Sequence, residues 1–205
     1  MITLTAKIYI SETEIVEIDR KNILSLNSNI FDRSDLKLPS WGIISNTGNI
    51  EFNDTDGKVL NYTENLLLQS GLKCEIKLNN TLVEGASETI GLFETDEWDY
   101  DNDNRVVSVI LKDDLEEWQT ILIEEYPLQN AMTMYEIYEY LVGKTPSKWE
   151  FILDNENATR LKNITCPYPY LESANLWAQW QKLCEVCALY IYKNNEGKVV
   201  VQHKI

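Results

Sequence analysis

Acidic side chains are the first residues whose type and spacing suggest chemistry. One run supplies the oxygen ligands that Ca²⁺ prefers. It consists of Asp96, Glu97, Asp99, Asp101 and Asp103. An EF-hand loop also requires Gly at its sixth position and Glu at its twelfth. Counted from Asp99, those positions hold Asn104 and Ile110, so the run is interpreted as a tight acidic turn between strands.

A second acidic group raises the question of acid–base hydrolysis. It consists of Asp113, Asp114, Glu116 and Glu117. Glycosidases use paired carboxylates, but a sequence does not give the distance between them, and 33 acidic residues produce chance clusters. His203 is the single histidine, and the sequence contains no Gly-x-Ser-x-Gly nucleophile motif with which it could form a catalytic triad. The chain also lacks the Gly-rich phosphate loops of nucleotide-binding proteins.

The four cysteines suggest a metal or redox site only through the spacing Cys184-Glu-Val-Cys187. Zinc would require two further ligands at a matching spacing, whereas Cys74 and Cys166 are isolated. A redox motif sits at the start of a helix, but this pair falls near the end of a predicted one. The cysteines are therefore predicted to be core residues. The sequence predicts no catalytic, cofactor-binding or metal residues, and no enzyme.

Charge excludes another class of function. The 205 residues carry a formal charge of −15, which disfavours binding to a phosphate backbone because such binding requires clustered Lys and Arg. The acidic surface serves either solubility or, if it lines a passage, the movement of DNA without sticking. No apolar run approaches the ~20 residues that span a bilayer. The first residues lack the cationic and apolar regions of a signal peptide.

Alternation of apolar and polar residues predicts a β-rich first half. Strands are expected at 2–10, 14–18, 21–26, 42–45, 49–52, 73–80, 88–101 and 104–113. A turn is predicted at 46–48 and a hairpin turn at Asn79-Asn80. A helix is predicted over 58–70, after a turn at Gly57 and before a stop at Gly71. In the last strand, Val107, Val109 and Leu111 share one face.

The second half alternates between helices and short strands. Residues 130–143 are predicted to be helical, with a buried stripe of Met134, Ile137, Tyr138 and Leu141. Residues 147–155 form a strand and 164–172 are extended. A final helix begins after Ser173 as its cap, with Trp177 and Trp180 in the core. A β-hairpin over 189–202 closes the chain, which is expected to be the front part of a longer protein.

The amino-acid sequence of four stretches resembles that of a known family. "LPSWGIISNTGNIEFNDTDGKVLNYTENLLLQSGLKCEIKLNNTL" and "IGLFETDEWDYDNDNRVVSVILKDDLEEWQ" are similar to the N-terminal region of bacteriophage tail-tip and baseplate hub proteins, within the tail-associated proteins. "TMYEIYEYLVGKTPSKW" and "ANLWAQWQKLCEVCALYIYKNNEGKVVV" look like the second hub domain of those proteins. The similarity covers most of the chain and includes no active-site motif.

The resemblance implies an α+β, β-rich fold with two small β-barrel-like hub domains and a few inserted helices. We predict the first barrel-like domain at 1–127 and a second, incomplete α+β domain at 128–205. Three subunits would form a ring that presents pseudo-sixfold symmetry to the tail tube. Longer relatives often carry a peptidoglycan hydrolase or a fibre-like region downstream.

These implications define the expected function, partners and location. The first hypothesis is a virion structural protein of a phage or prophage tail tip, made in the bacterial host cytoplasm. It would self-associate as a homotrimer and contact the distal tail protein, the tail tube and the tape measure protein. It would bind no cofactor and no specific nucleic acid sequence, and it would not span a membrane. The alternatives are a carbohydrate- or receptor-binding module, favoured by exposed Trp and Tyr, and a hydrolase, favoured by carboxylates in a cleft.

Overall fold

The computed structural model describes residues 2–13, 15–29, 42–54, 69–80, 87–124, 126–127, 131–167, 169–171 and 174–203. The strands are β1 (Ile2–Tyr9), β2 (Ile15–Asp19), β3 (Ile23–Asn29), β4 (Gly42–Ile43), β5 (Thr47–Asn53), β6 (Lys73–Asn80), β7 (Ser87–Asp101), β8 (Val106–Lys112), β9 (Leu122–Ile123), β10 (Tyr126–Pro127), β11 (Met132–Thr133), β12 (Phe151–Leu153), β13 (Thr165–Cys166), β14 (Tyr170–Leu171), β15 (Ala174–Asn175), β16 (Leu189–Lys193) and β17 (Val199–His203). The helices are α1 (Met134–Lys144), α2 (Asn155–Lys162), α3 (Leu176–Cys187) and a 3₁₀ helix over Asp114–Gln119. The predicted α+β, β-rich class is confirmed.

The chain divides into two compact units. The first contains Met1–Ile30 and Asn46–Asp114, and the second contains Phe31–Ser45 and Leu115–Ile205. This division falls after residue 114, because Leu115 and Trp118 are fully buried in the core of the second unit. The assignment of 1–127 and 128–205 as two hub domains stays a prediction.

The first unit is an antiparallel sheet of seven strands in the order β2-β1-β6-β7-β8-β5-β3. Apolar residues that alternate with polar ones along most of these strands share one buried face. That face consists of Ala6, Ile8, Val16, Ile18, Ile50, Phe52, Cys74, Ile76, Phe93, Val107, Val109 and Leu111. The predicted inward set on the last strand is therefore confirmed.

The connection between β2 and β3 requires this sheet to curl. These strands lie at opposite ends of the sheet order, yet only residues 20–22 separate them. In a flat sheet, six strand spacings of about 4.8 Å would place them about 29 Å apart. A four-residue step reaches at most about 14 Å. The two edge strands therefore approach each other at this turn, where the Asn22 N–H donates to the Asp19 carbonyl oxygen at 2.9 Å.

A polar clasp closes the β5–β8 ladder. Beyond the last register pair, Thr47 with Lys112, the Asp113 N–H donates to the Asn46 carbonyl oxygen at 2.9 Å. In return, the Asn46 N–H donates to Asp113 Oδ2 at 2.6 Å. Asp113 is 1% exposed, so its carboxylate satisfies a backbone donor that water does not reach.

The second unit packs helices on a four-stranded sheet of order β12-β17-β16-β4. Its core contains Leu115, Trp118, Leu141, Leu161, Trp180 and Leu189, all fully buried. Trp180 stacks on Trp118 and Phe151 with ring centroids 5.8 Å and 5.2 Å apart. Stacked aromatic pairs contribute about 0.5–1.5 kcal/mol beyond their buried area. This aromatic cluster therefore stabilises the core of the unit.

Local capping chemistry sets the starts of the three helices. Thr133 and Glu136 form a reciprocal capping box at α1. Asp154 caps α2 by accepting from the Asn157 N–H, and Asn175 caps α3 by accepting from the Ala178 N–H. Each cap satisfies a backbone donor that has no partner inside the helix.

Most of the elements predicted from periodicity are confirmed in type and approximate position. The stripe of Met134, Ile137, Tyr138 and Leu141 is buried along α1. The final hairpin is β16–β17, with Gly197 at a φ of +80° in its turn. Gly71 has a φ of +86°, while the predicted helix at 58–70 and its Gly57 turn lie outside the described residues.

Three turn and cap predictions are wrong. Thr47 and Gly48 belong to β5, and β4 instead pairs in parallel with β16 in the second unit. Asn79 and Asn80 are strand residues that continue the β1–β6 ladder. The cap of α3 is Asn175 rather than Ser173, which lies outside the described residues.

One helix, α2, was not predicted. Its eight residues carry few apolar side chains, and only Asn157 and Leu161 are buried. The spacing of apolar residues therefore gives little indication of a helix in this segment. The Asp-x-x-Asn cap that starts the helix is the local signal that could have found it.

Candidate interaction surface

The outward face of the seven-stranded sheet carries the polar side chains that alternate with its core. On β1 these are Thr3, Thr5, Lys7 and Tyr9, and on β6 they are Lys73, Glu75, Lys77 and Asn79. Cross-strand register places these residues opposite one another, so that hydrogen bonds and ion pairs form between neighbouring strands. The face therefore presents fixed polar groups.

Glu75 is the centre of one polar network on this face. Its carboxylate accepts hydrogen bonds from Tyr9 Oη at 2.7 Å and Thr89 Oγ1 at 2.8 Å, and pairs with Lys77 Nζ at 3.1 Å. Lys73 Nζ lies 5.3 Å from the centroid of the Tyr9 ring, within cation–π range. These contacts tie β1, β6 and β7 together on the side opposite the core.

The network shifts two pKa values in opposite directions. The hydrogen bond to Glu75 and then desolvation raise the pKa of Tyr9 to about 12. Desolvation alone would raise the pKa of Glu75, but hydrogen bonds from Tyr9, Thr89 and Lys77 together lower it. A lowered folded pKa gives Glu75 a stabilising contribution above its unfolded pKa, and that contribution is lost as pH falls through the folded value. The raised pKa of Tyr9 gives a stabilising contribution that is fully present below the unfolded pKa of tyrosine. That contribution is lost as pH rises through the folded value of about 12.

Replacing Tyr9 with Phe tests this network. Tyr9→Phe removes the 2.7 Å hydrogen bond, so we expect the pKa of Glu75 to rise. The measurement is an NMR pH titration of the Glu75 side-chain carboxyl carbon in both proteins. Ser25→Ala, which removes a hydrogen bond to Glu51 on the same face, should leave the pKa of Glu75 unchanged. An unchanged pKa of Glu75 in the Tyr9→Phe protein would contradict the network.

A notch lies where β1 extends beyond β2. All eight residues of β1 pair with β6, whereas β2 pairs only with Thr5–Tyr9. Residues 2–4 thus have no strand on the β2 side within the described part of the chain. A cavity of about 550 Å³ occupies this position. Its lining, which we call the notch, is Thr3, Leu4, Thr5, Asp19, Arg20 and Lys21.

The hairpin turn between β7 and β8 is acidic, exposed and held by side-chain hydrogen bonds. The side chain of Asp101 accepts from the Asp103 and Asn104 N–H groups at 3.0 Å and 3.1 Å, and from Asn104 Nδ2 at 2.7 Å. The Asn104 side chain and then its N–H lower the pKa of Asp101. We call the exposed residues Asp99, Asp101 and Asp103 the acidic tip.

Charge is distributed unevenly over the first unit. The described residues of 2–22 and 69–80 hold 5 basic and 4 acidic side chains, but those of 46–54 and 87–114 hold 2 basic and 11 acidic ones. The notch belongs to the first group and the acidic tip to the second. The sequence interpretation, which considered only net charge, missed this asymmetry.

The structure gives the sequence candidates for chemistry different local surroundings. Asp113 is a buried clasp residue, and Glu117 pairs with Lys148 at 2.6 Å on the surface. The run at 96–103 ends in the predicted acidic turn, and no cluster that could hold a metal ion occurs among the described residues. In the same part of the chain, no helix is long and apolar enough to cross a membrane.

The cysteines and the histidine have structural surroundings. Cys74, Cys184 and Cys187 are buried and free, as predicted, while Cys166 is half-buried against the second core. Burial raises the pKa of Cys74 to about 12 and that of Cys187 to about 11, which keeps both thiols protonated at neutral pH. Burial, then Arg160, lowers the pKa of His203.

Comparison with known proteins identifies a shared fold. No protein-family model and no curated protein sequence matches the chain. Among solved structures, however, the fold is similar to that of two tail proteins. One is the 43 kDa tail protein of prophage MuSo2 from Shewanella oneidensis, with a TM-score of 0.60 and 11% identity, over 99% of this chain and 56% of that one.

Two further structures share the fold. A tail protein from Neisseria meningitidis MC58 has a TM-score of 0.55 and 11% identity, over 98% of this chain and 50% of that one. A chain in the Francisella PdpA–VgrG complex has a TM-score of 0.52 and 15% identity, over 98% of this chain and 30% of that one. The chain thus spans only part of the length of each of these proteins.

Proposed function

We propose that the chain is a structural component of a phage or prophage tail tip or baseplate hub that assembles into a ring continuous with the tail tube. The observation that carries the proposal is the likeness to solved tail proteins over 98–99% of the chain. A likeness that covers both units supports a shared architecture rather than a single shared module.

The curl of the seven-stranded sheet supports a barrel-like hub domain. Its apolar face forms a single core, and the three-residue connection at 20–22 brings its edge strands together. Edge strands expose unpaired backbone groups, which proteins cover by closure or by neighbours. A curled sheet whose edge strands β2 and β3 have no second ladder within the described residues suits a subunit that is completed by neighbouring subunits.

The proposed mechanism is geometric. A cyclic contact between three copies would close a ring, and the distal tail protein, tail tube and tape measure protein would continue it. The excess of acidic side chains would allow DNA to pass a lumen without sticking. We assign no catalytic role to the chain, since its described carboxylates are dispersed among clasps, turns and surface ion pairs. Virion assembly from copies made in the host cytoplasm follows from this role.

The alternative, a carbohydrate- or receptor-binding module, has less support. Sugar platforms require exposed aromatic faces, but Trp118, Trp149 and Trp180 are buried in the second core. Trp98 and Trp177 are half-buried, and Trp41 lies outside the described residues. The tryptophans described here therefore serve packing.

Molar mass by light scattering after size exclusion tests the proposal. We expect a trimer for the longest natural form of the protein across a range of concentrations, and an open ring by electron microscopy. This chain alone should associate more weakly if other segments contribute to the ring. A strict monomer in both forms at high concentration would contradict the ring and favour the binding module, which a glycan screen would then test.

A further inference from the structure

Two features of the first unit carry net charges of opposite sign, and each presents a strand edge that has no ladder within the described residues. The notch exposes one edge of residues 2–4 of β1, next to the side chains of Arg20 and Lys21. Three residues of a strand extend about 10 Å. An extended strand segment of that length, carrying acidic side chains, fits this position.

The acidic tip offers such a segment. Strand β7 pairs with β6 as far as Glu94. The next residue, Thr95, accepts a hydrogen bond from the Gly71 N–H and donates one to the Leu72 carbonyl oxygen. Asp99–Asp101 are extended and pair with β8 on one side, with no ladder on the other within the described residues. The Asp101 hydrogen bonds hold the following turn in place. The tip is thus a preformed strand end with one available edge.

Net charge limits where two copies can meet. Each copy carries −15, so most pairs of surfaces repel. Contact is favourable where opposite charges are paired, and like charges that face each other oppose binding. In the first unit the notch region is the less acidic end of the sheet and the tip is the strongly acidic end.

We propose that the notch of one copy receives the acidic tip of a second copy. The strand Asp99–Asp101 of the second copy adds to the free edge of residues 2–4, and Asp99 and Asp103 face Arg20 and Lys21. The contact joins two different patches, so it is head-to-tail and can close a ring. This inference rests on the proposed function and names the surfaces through which copies would meet.

Charge reversal in the longest natural form tests the contact. The notch variant is Arg20→Glu with Lys21→Glu, and the tip variant is Asp99→Lys with Asp103→Lys. Asp101 is left intact because it holds the turn. At about 50 mM salt, we expect each variant to lower the association constant about tenfold or more, with a smaller loss at about 500 mM salt. Sedimentation equilibrium measures these constants.

The combined variant distinguishes loss of the charge contact from loss of the folded structure. A chain with all four reversals carries an acidic notch and a basic tip, so the contact is restored with its signs exchanged. We expect its association constant to return to within about threefold of the unaltered protein. A matched control, Lys144→Glu with Lys182→Glu on the second unit, changes the net charge as the notch variant does and should retain association. Far-UV circular dichroism confirms the fold of each variant.

Hydrogen exchange provides a second readout. Residues 2–4 and 99–101 should gain protection on assembly in the unaltered protein and lose that gain in either reversal variant. Assembly that survives both reversals, or a combined variant as weak as the single ones, would overturn the contact while leaving the ring intact. An unaltered protein that never associates would instead contradict the proposed function itself.

Discussion

Replacing Trp180 with Ala is expected to lower the free energy of unfolding of the second unit by about 3–5 kcal/mol. The side chain is fully buried and its ring stacks on those of both Trp118 and Phe151, which also contact each other. Its Nε1 also donates to Thr145 Oγ1 at 3.3 Å. Truncation leaves a cavity in a close-packed aromatic cluster that cannot readily collapse. Guanidinium denaturation followed by circular dichroism at 222 nm measures the loss.

Trp177 provides the matched control on the same helix. It is a tryptophan three residues earlier, half-buried and packed against the edge of the core. Trp177→Ala should therefore cost less than half as much as Trp180→Ala, since less apolar area returns to water. Trp180→Phe, which retains an aromatic ring in the stack, should fall between the two. Equal losses for Trp177→Ala and Trp180→Ala would contradict this description of the core.

Replacing Asp113 with Ala is expected to lower the free energy of unfolding of the first unit by about 2–3 kcal/mol. The carboxylate accepts the Asn46 N–H at 2.6 Å in a site 1% exposed to solvent. Without it, a buried backbone donor loses its partner, and such donors are costly to leave unpaired. The effect is measured by urea denaturation at neutral pH.

An isosteric variant separates the hydrogen bond from the charge. Asp113→Asn retains an oxygen that can accept the Asn46 N–H but removes the negative charge, so it should lose about half as much stability as Asp113→Ala. Asp103→Ala, an acidic residue in the exposed turn, should change stability by less than about 0.5 kcal/mol. If Asp113→Ala left the free energy of unfolding unchanged, the clasp would contribute little to stability.

Much of the secondary structure followed from local periodicity. The inward set on β8, the buried stripe of α1 and the final hairpin were predicted because each pattern repeats within about ten residues. The core location of Cys74, Cys184 and Cys187 followed from their spacing and from the scarcity of other ligands. Errors concentrated at turns and caps, where one or two residues decide the outcome.

The missed features depend on residues far apart in the chain. Parallel pairing of β4 with β16 joins Gly42 to Tyr190, and no local pattern indicates such a partner. The clasp joins Asn46 to Asp113, and a lone Asp beside another acidic residue gives no sign that it is buried. Leu115 and Trp118 follow the last strand of the first unit without a break, yet pack in the second core.

The sequence by itself determined that this is an acidic, β-rich chain with strands and helices near their observed positions, because hydrophobic period and end residues are local properties. Only the tertiary structure decided how those elements combine. The strand order determines that β2 and β3 meet at residues 20–22, that β1 extends beyond β2, and that the excess of acidic side chains is concentrated on the strands β5, β7 and β8 and their connections. Strand pairing is set by non-local packing and register, which no window of sequence contains.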